Sequence, residues 1–598
     1  MGKRISVVGN AETAAGGRQR DSVDERVDEL LGRMTLEEKA GLMFHSIIAV
    51  GEIGGELGKA LQVDSAAVER FILEQNMTHF NLLGSAPSGR EFARWHNGIQ
   101  KVAQRSRLGI PVTISTDPRH TSDDNPLTSV LSGPFSQWPT ALGLGALHDP
   151  EAVRRFADIA RREYLAVGIR TALHPQIDLT TEPRWSRQSA CFGEQAELTG
   201  RLARAYIEGF QGPDFGARSV STMAKHFPGG GPQKDGEDPH FPHGKDQVYP
   251  GGMCEEHLKP FVEAVDAGVR QMMPYYGRPV GTGYEEVGFG FNKSVVTGLL
   301  RERLGFDGIV CTDWGLVTDA VYGDDVHEAK AWGVEHLTER ERVLKILDAG
   351  VDQFGGERIP ELLVELVREG AVSEERIDAS ARRLLREKFL LGLFDDPFVD
   401  EDAAGRIVGN DEFRAAGYAA QCASTTLLAN AGPGGAPLLP IADGAAVYVE
   451  GLEPELFAGR ARVVDDPAEA DVAILRLPAP FERRPGIEEL FHVGSLDFPD
   501  YVVAHVREVA AAVPTVLNVV LDRPAILTPM ADSLDAILAD YGSSKKAVVD
   551  VLLGGAEPQG RLPFDLPRSM EAVLASRSDV PFDTADPMFR FGHGLRYS

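Results

Sequence analysis

Apolar positions along the chain recur with two different periods, and the places where the period changes set out its organisation. From Asp21 onward Val23, Val27, Leu30, Leu31 and Met34 fall at three- and four-residue spacings, which predicts a helix. Thr35 follows as an N-cap, and Glu38 completes a capping box that opens the next helix. Residues 1–20 are small and polar and read as a poorly ordered tail.

Between about 40 and 395, short apolar runs alternate with amphipathic helical stretches. Four such runs are Pro111–Asp117, Ala172–Asp178, Ser219–His226 and Gly308–Asp313, and each ends in ionisable residues. Strand, polar strand end and helix, repeated in this way, predict an α/β fold of the (β/α)8 TIM-barrel type over residues 21–395, with the active site at the strand C-termini. The acidic, Pro-containing stretch 396–410 reads as a linker. A second α/β pattern follows over 411–598, with strands at 445–450, 471–476, 515–521 and 536–539 and a helix over 501–512. It predicts an α/β sandwich with a mostly parallel sheet.

Composition narrows the classes of function. The 598 residues exceed one ordinary core, and 43% hydrophobic with 25% charged residues is the balance of a globular protein. A formal net charge of −28 opposes a nucleic-acid partner. Cys191, Cys254, Cys311 and Cys422 lie far apart, without metal-site spacing, so buried thiols are expected and no metal or cofactor is called for. Met1–Asn10 lacks the apolar segment of about 7–15 residues of a signal peptide. No run reaches the ~18 apolar residues of a membrane helix. The expectation is a cytoplasmic protein without a membrane partner; whether it forms a homo-oligomer is left open.

Several motifs fall in a fixed order. They are Met34–Lys39, then Glu182-Pro183-Arg184-Trp185-Ser186-Arg187 with Phe192-Gly193-Glu194, and then Lys225-His226-Phe227-Pro228-Gly229-Gly230-Gly231. Leu304–Trp314, Gly560–Phe564 and Phe591–Tyr597 complete the set. Together, over residues 21–598, they resemble glycoside hydrolase family 3, with Glu182 and Ser186 in place of that family's Asp and Gly. The resemblance implies a retaining, exo-acting β-glycosidase of β-glucosidase or β-xylosidase type, acting on an oligosaccharide or an aryl or alkyl β-glycoside. Retention needs a carboxylate that attacks the anomeric carbon and a second carboxyl roughly 5–5.5 Å away that serves as acid and then base. Asp313 closes a buried strand and precedes Trp314, whose ring face suits a sugar; it is the nucleophile the resemblance implies. Asp117, Arg184, Lys225 and His226 are the implied sugar-binding residues, Tyr275 the implied tyrosine beside the nucleophile, and His240 a further lining residue.

The second carboxyl is less directly legible. A Gly-Ser/Thr-Glu-Gly loop carries it in many members of the family, but here that loop reads Gly542-Ser543-Ser544-Lys545-Lys546, with no Glu. Counting back from Leu496-Asp497-Phe498-Pro499 points to Glu489, while aligning on the arginines points to Glu482. An apolar setting favours a general acid, and Glu489 stands beside Leu490 and Phe491 while Glu482 precedes Arg483 and Arg484, but sequence neighbours in a loop need not be spatial neighbours, so both stand equally as candidates. A third option is the loop Asp235–His240, similar to the Asp–His dyad of the family's N-acetylglucosaminidase branch. The run Gly229-Gly230-Gly231 reads as a close backbone turn beside the substrate. Alternatives on the same scaffold are an N-acetylglucosaminidase, a transglycosylase or a phosphorylase; from another class, a catalytically inactive carbohydrate-binding protein.

Overall fold

The computed structural model describes residues 23–51, 65–121, 130, 132–322 and 325–597; the tail expected over 1–20 lies outside them. Residues 23–31 are helical, and Val23, Val27, Leu30 and Leu31 are buried on the barrel. Thr35 and Glu38 exchange the two hydrogen bonds of a capping box ahead of the helix Leu36–Leu42.

The first layer is one sheet of eight strands. They are β1 (Phe44–Val50), β2 (His79–Gly84), β3 (Thr113–Thr116), β4 (Ile169–Ala172), β5 (Ser221–Phe227), β6 (Gln271–Pro274), β7 (Ile309–Val310) and β8 (Phe354–Gly355). All neighbours run parallel, in the order β8-β1-β2-β3-β4-β5-β6-β7. The ring closes where Cys311 bridges Gln353, with Gln353 N donating to Val310 O at 3.1 Å and Thr312 N to Gln353 O at 2.9 Å. A closed sheet leaves no edge to pair with another chain.

Helices cover the outside, and their ends are written in the sequence. The helix Pro150–Val167 is capped by Asp149, begins with Pro150, buries Val153, Phe156, Ala160, Tyr164 and Val167, and ends at Gly168, whose φ is 84°. At the opposite end of the barrel from the ionisable strand ends, Lys388 is fully buried. It donates to Thr78 O, Pro111 O and Thr113 Oγ1 at 3.0, 2.9 and 2.7 Å, tying the helix Glu374–Leu390 under β2 and β3.

The run expected at Ala172–Asp178 is displaced. The strand is Ile169–Ala172, and the chain beyond it continues irregularly toward the cavity described below. Arg170 masks its apolar pattern; the guanidinium is buried against the carbonyls of Ala217, Ser219 and Leu391.

The second domain holds a six-stranded sheet. Its strands are β9 (Thr426–Asn430), β10 (Ala446–Glu450), β11 (Arg462–Val464), β12 (Val472–Pro478), β13 (Thr515–Val520) and β14 (Ala536–Asp540). Their order is β9-β14-β13-β12-β10-β11, parallel except for β9 against β14. Apolar side chains pack on both faces, as a doubly covered sheet requires.

The stretch 396–410 is not an extended linker. Asp400 caps a helix, Glu401–Ile407, by accepting from Asp402 N and Ala403 N. Ala404 is buried, and its carbonyl lies so close to Gly89 that a Cβ there would stand 2.6 Å away. Acidic residues that read as a solvated tether are therefore a capped first turn. The next helix, Asp411–Ser424, spans the seam: Phe413 packs in the barrel core and Cys422 in the core of the second sheet.

The C-terminal segment returns to the barrel and completes the interface. Gly193, at φ 132°, lies against Pro563 O, and Glu194 accepts hydrogen bonds from Asp565 N at 3.0 Å and Phe582 N at 2.6 Å. Asp579 accepts from Gly251 N and Met253 N at 2.7 and 2.8 Å. Burial pushes the Glu194 carboxyl up to about 8, against the pull of the Phe582 and Asp565 N–H groups. An unfolded Glu titrates near about 4.3, so between these values the folded chain holds the extra proton. Stability contributed at this site is therefore full at low pH and falls as pH rises toward 8. Thermal melting followed from pH 5 to 9 is expected to show Tm falling with pH, with a shallower slope for Glu194→Gln. Equal slopes would remove Glu194 as the cause.

Candidate active site

The strand C-termini open into a cavity lined by polar and aromatic side chains. Ile47 comes from β1, Asn81 and Leu83 from β2, Lys225 and His226 from β5; Asp117 and Leu173 directly follow β3 and β4, and Asp313 stands two residues after Cys311, the bridge residue beyond β7. Met273, Tyr276, Trp314, Arg187, His240 and Lys330 complete the wall.

Asp313 is 7% exposed. Its Oδ1 accepts the N–H of Trp314 at 2.8 Å, whereas Oδ2 has no hydrogen-bond partner among the described residues and stands 3.7 Å from His226 Nε2. The Tyr276 hydroxyl donates to Trp314 O at 2.8 Å and accepts from its N–H at 3.0 Å, so the backbone after the carboxylate is held from two sides. The Trp314 ring meets His45 edge-on at 5.3 Å, and Gly355 lies beneath it, where a Cβ would fall 2.8 Å from the ring.

Lys225 Nζ donates to Asp117 Oδ1 at 2.7 Å, and Asn81 Nδ2 to Asp117 Oδ2 at 3.2 Å. Lys225 and His226 are adjacent yet both line the cavity. The register between β5 and β6 shifts at this point, which breaks the alternation that would send neighbours to opposite faces. His226 Nδ1 donates to Asp178 Oδ2 at 2.9 Å, leaving Nε2 as the acceptor facing Arg187 Nη2 at 3.4 Å. Burial, reinforced by Arg187 and opposed by Asp313, holds the imidazole well below its ordinary value, so it is neutral at pH 7. Burial also pushes the Asp178 carboxyl up to about 6, despite N–H donors from Gly230 and His226. The glycine run thus supports Asp178 instead of lining the cavity. A Cβ on Gly231 would lie 1.8 Å from Leu179 O, and one on Gly230 against the Tyr275 ring.

Two of the expected binding residues are displaced by their neighbours. Arg184 is not among the lining residues and pairs with Glu182 through its Nε and Nη2, at 2.8 and 3.0 Å. Arg187, three residues on, is the arginine that lines it, fixed by Gln176 Oε1 at 2.9 Å. The Glu182 that replaces the family's Asp neutralises Arg184 locally, and both arginines occur in the same motif; only the turn between them decides which reaches the cavity. Likewise Tyr276 lines the wall, while Tyr275 packs behind His226 at 4.9 Å and donates its hydroxyl to Gln233 Oε1 at 3.2 Å. Asn81, Tyr276 and Lys330 were not singled out in the sequence. Asn81 lies on a strand that apolar patterning does not distinguish, and Lys330 reaches the site from a loop.

The proton-transfer candidates separate. His240 lines the cavity, and its Nδ1 is 2.6 Å from Asp238 Oδ1, while Ser186 Oγ donates to Asp238 Oδ2 at 3.3 Å. Burial alone would raise the Asp238 carboxyl; His240 and Arg187 outweigh it and hold it below the ordinary range. Neither Glu482 nor Glu489 is among the lining residues. Glu482 accepts from Ser495 N at 3.2 Å across a short hairpin bridge to Val493. Glu489 accepts from Arg484 N at 3.2 Å and pairs with Arg483 at 3.3 Å, so the cation expected beside Glu482 is beside Glu489 instead. Their loop, 480–495, nevertheless lies on the cavity rim. Arg484 forms a two-pronged pair with Glu237 at 2.6 and 2.8 Å, and Phe491 packs on His240 at 4.9 Å and Phe241 at 5.4 Å. Among the described residues no group of three His, Cys, Asp or Glu side chains is placed to hold a metal ion.

Comparison with known proteins shows the family. Residues 53–387 match the glycosyl hydrolase family 3 N terminal domain and residues 259–597 the glycosyl hydrolase family 3 C-terminal domain. The chain is 54% identical to a probable beta-glucosidase C of Aspergillus flavus, over 96% of this chain and 91% of that one. It is 40% identical to a periplasmic beta-glucosidase/beta-xylosidase of Dickeya chrysanthemi, over 96% and 90%. Among solved structures, a beta-glucosidase from Listeria innocua in complex with isofagomine superposes with a TM-score of 0.74 at 23% identity, covering 96% of this chain and 83% of that one. An exo-1,3/1,4-beta-glucanase from a Pseudoalteromonas species gives 0.76 at 21% identity, over 96% and 74%. These last two likenesses concern the fold. Ordered motifs, a closed barrel carrying Asp313 at a strand end, and matches along nearly the whole chain lead to one conclusion: the protein belongs to glycosyl hydrolase family 3.

Proposed function

We propose that the protein is an exo-acting β-glycosidase that releases terminal β-D-glucosyl or β-xylosyl residues with retention through a glycosyl-Asp313 ester. The observation that carries this is the state of Asp313. One oxygen is locked by a backbone N–H and the other is uncommitted in a cavity whose wall also presents an ion pair, a neutral imidazole and a guanidinium. Asp313 Oδ2 attacks the anomeric carbon as the glycosidic C–O bond breaks and the departing oxygen takes a proton from a separate acid/base group, which is left deprotonated. Water, giving its proton to the same group, then attacks that carbon and releases Asp313 as a carboxylate. Asp117, Lys225, His226 and Arg187 hold the sugar hydroxyls by charge-assisted hydrogen bonds. The relatives named beta-glucosidase and beta-glucosidase/beta-xylosidase support the substrate class.

For the proton, the donor is a carboxyl of the 480–495 loop, Glu489 or Glu482, whose loop packs on His240 through Phe491. A second reading rests on the Asp238–His240 pair, because His240 already shares the cavity with Asp313.

Asp313→Asn is expected to lower kcat/KM on aryl β-glucosides by roughly 1,000-fold or more. A 2-fluoro glucoside is expected to label the parent enzyme on the peptide containing Asp313; a label elsewhere would overturn the nucleophile assignment. Arg187→Met is expected to cost about 10- to 100-fold in kcat/KM, the worth of a charged hydrogen bond, with Arg184→Met within about fivefold of the parent. The reverse order would restore Arg184 to the sugar site. Removing the proton donor is expected to lower kcat/KM about 100-fold or more on an alkyl glucoside yet little on a dinitrophenyl glucoside, whose leaving group departs unprotonated. That signature in Glu489→Gln or Glu482→Gln supports the loop; its appearance in His240→Gln alone assigns the dyad. Rates on aryl glucoside, xyloside and N-acetylglucosaminide, with and without phosphate, test the hydrolase reading, which faster turnover in phosphate would exclude.

A further inference from the structure

Arg523 follows β13 in the second domain and is fully buried, yet it makes no ion pair among the described residues. Its guanidinium is spent on five backbone carbonyls. Nη1 donates to Arg184 O at 3.0 Å and Gly494 O at 3.1 Å, and Nη2 to Pro480 O at 2.5 Å, Val493 O at 3.0 Å and Ser495 O at 3.1 Å. Pro480 stands at one foot of the 480–495 loop, Val493 to Ser495 form the other, and Arg184 belongs to the barrel segment that carries Arg187.

One side chain thus ties both feet of the loop to each other and to the barrel. Burying a guanidinium without a counter-ion costs several kcal/mol, roughly, unless its donors are met, and packing of the sheet alone does not call for one. Five carbonyls converging from three segments match the fork of arginine and not the single point charge of lysine. Beyond the clamped feet, Arg484 and Phe491 press the loop onto Glu237, His240 and Phe241. The loop is held at its base from the second domain and at its tip by the barrel.

We propose that Arg523 is a positioning residue: its backbone clamp sets the 480–495 loop against the rim of the Asp313 cavity and so fixes the group that transfers the proton. It does not line the cavity, and it acts through the loop, either on Glu489 or Glu482 directly or on His240 through Phe491. The inference rests on the reading that proton transfer takes place at this face of the cavity.

The test uses the full-length protein with Arg523→Lys and Arg523→Met; the lysine variant keeps the charge should the methionine variant fail to fold. Amide hydrogen exchange across 480–495 is expected to quicken about tenfold or more in both, while exchange in the barrel strands stays at the parental rate. kcat/KM is expected to fall about 100-fold on an alkyl glucoside and less than about fivefold on a dinitrophenyl glucoside. Unchanged loop exchange, or an equal loss on both glucosides, overturns the positioning role. Glu489→Gln, Glu482→Gln and His240→Gln measured alongside keep the two readings apart. If none of them shows the leaving-group signature while Arg523→Lys does, the donor assignment fails and the positioning role stands.

Discussion

The structure depends on the few backbone hydrogen bonds at Cys311, Thr312 and Gln353 that close the barrel. β7 and β8 are two residues each, too short to hold a register by pairing alone. Closure succeeds because Gln353 exchanges hydrogen bonds with Val310 and Thr312, and because Phe44 and Phe354 stack at 5.1 Å where β8 meets β1. Asp313 is the next residue after that junction. Its position is inherited from the ring as a whole, which is why a carboxylate with one uncommitted oxygen can be held within a buried site.

Burying so many ionisable groups at one end of a barrel is tolerable only when they satisfy one another. Lys225 neutralises Asp117, His226 is kept uncharged over Asp178, and Asp238 is held ionised by His240 and Arg187. The wall is therefore polar and preorganised without being strongly charged, which suits a neutral polyhydroxyl ligand. Most of these pairs join different strands or loops, so the electrostatics also staple the βα loops together.

The second domain is fastened at three places with different chemistry. The helix Asp411–Ser424 shares apolar side chains with both cores, the C-terminal segment lays backbone N–H groups on Glu194, and Arg523 gathers carbonyls from both sides. Ser543 and Ser544, in the Gly542–Lys546 loop, are committed to Gln421 of the same bridging helix. That loop is part of the joint, whereas the 480–495 loop packs through Phe491 on His240 at the cavity rim.

Much was legible in the sequence alone. The capping box at Thr35, the alternation that predicts a barrel, the four named strands of the second sheet and the placement of Asp313 all follow from local patterns, because caps, periodicity and strand ends are short-range properties. What needed tertiary structure were choices between near neighbours: Arg187 and not Arg184, Tyr276 and not Tyr275, a docked helix over 401–407 and not a tether. Each turns on the direction of a side chain after an irregular turn, or on a contact with residues hundreds of positions away, and no local pattern carries that information. The proton donor is the extreme case. Its candidates lie on two loops from two domains, and Arg484 and Phe491 bring those loops together only in the folded chain.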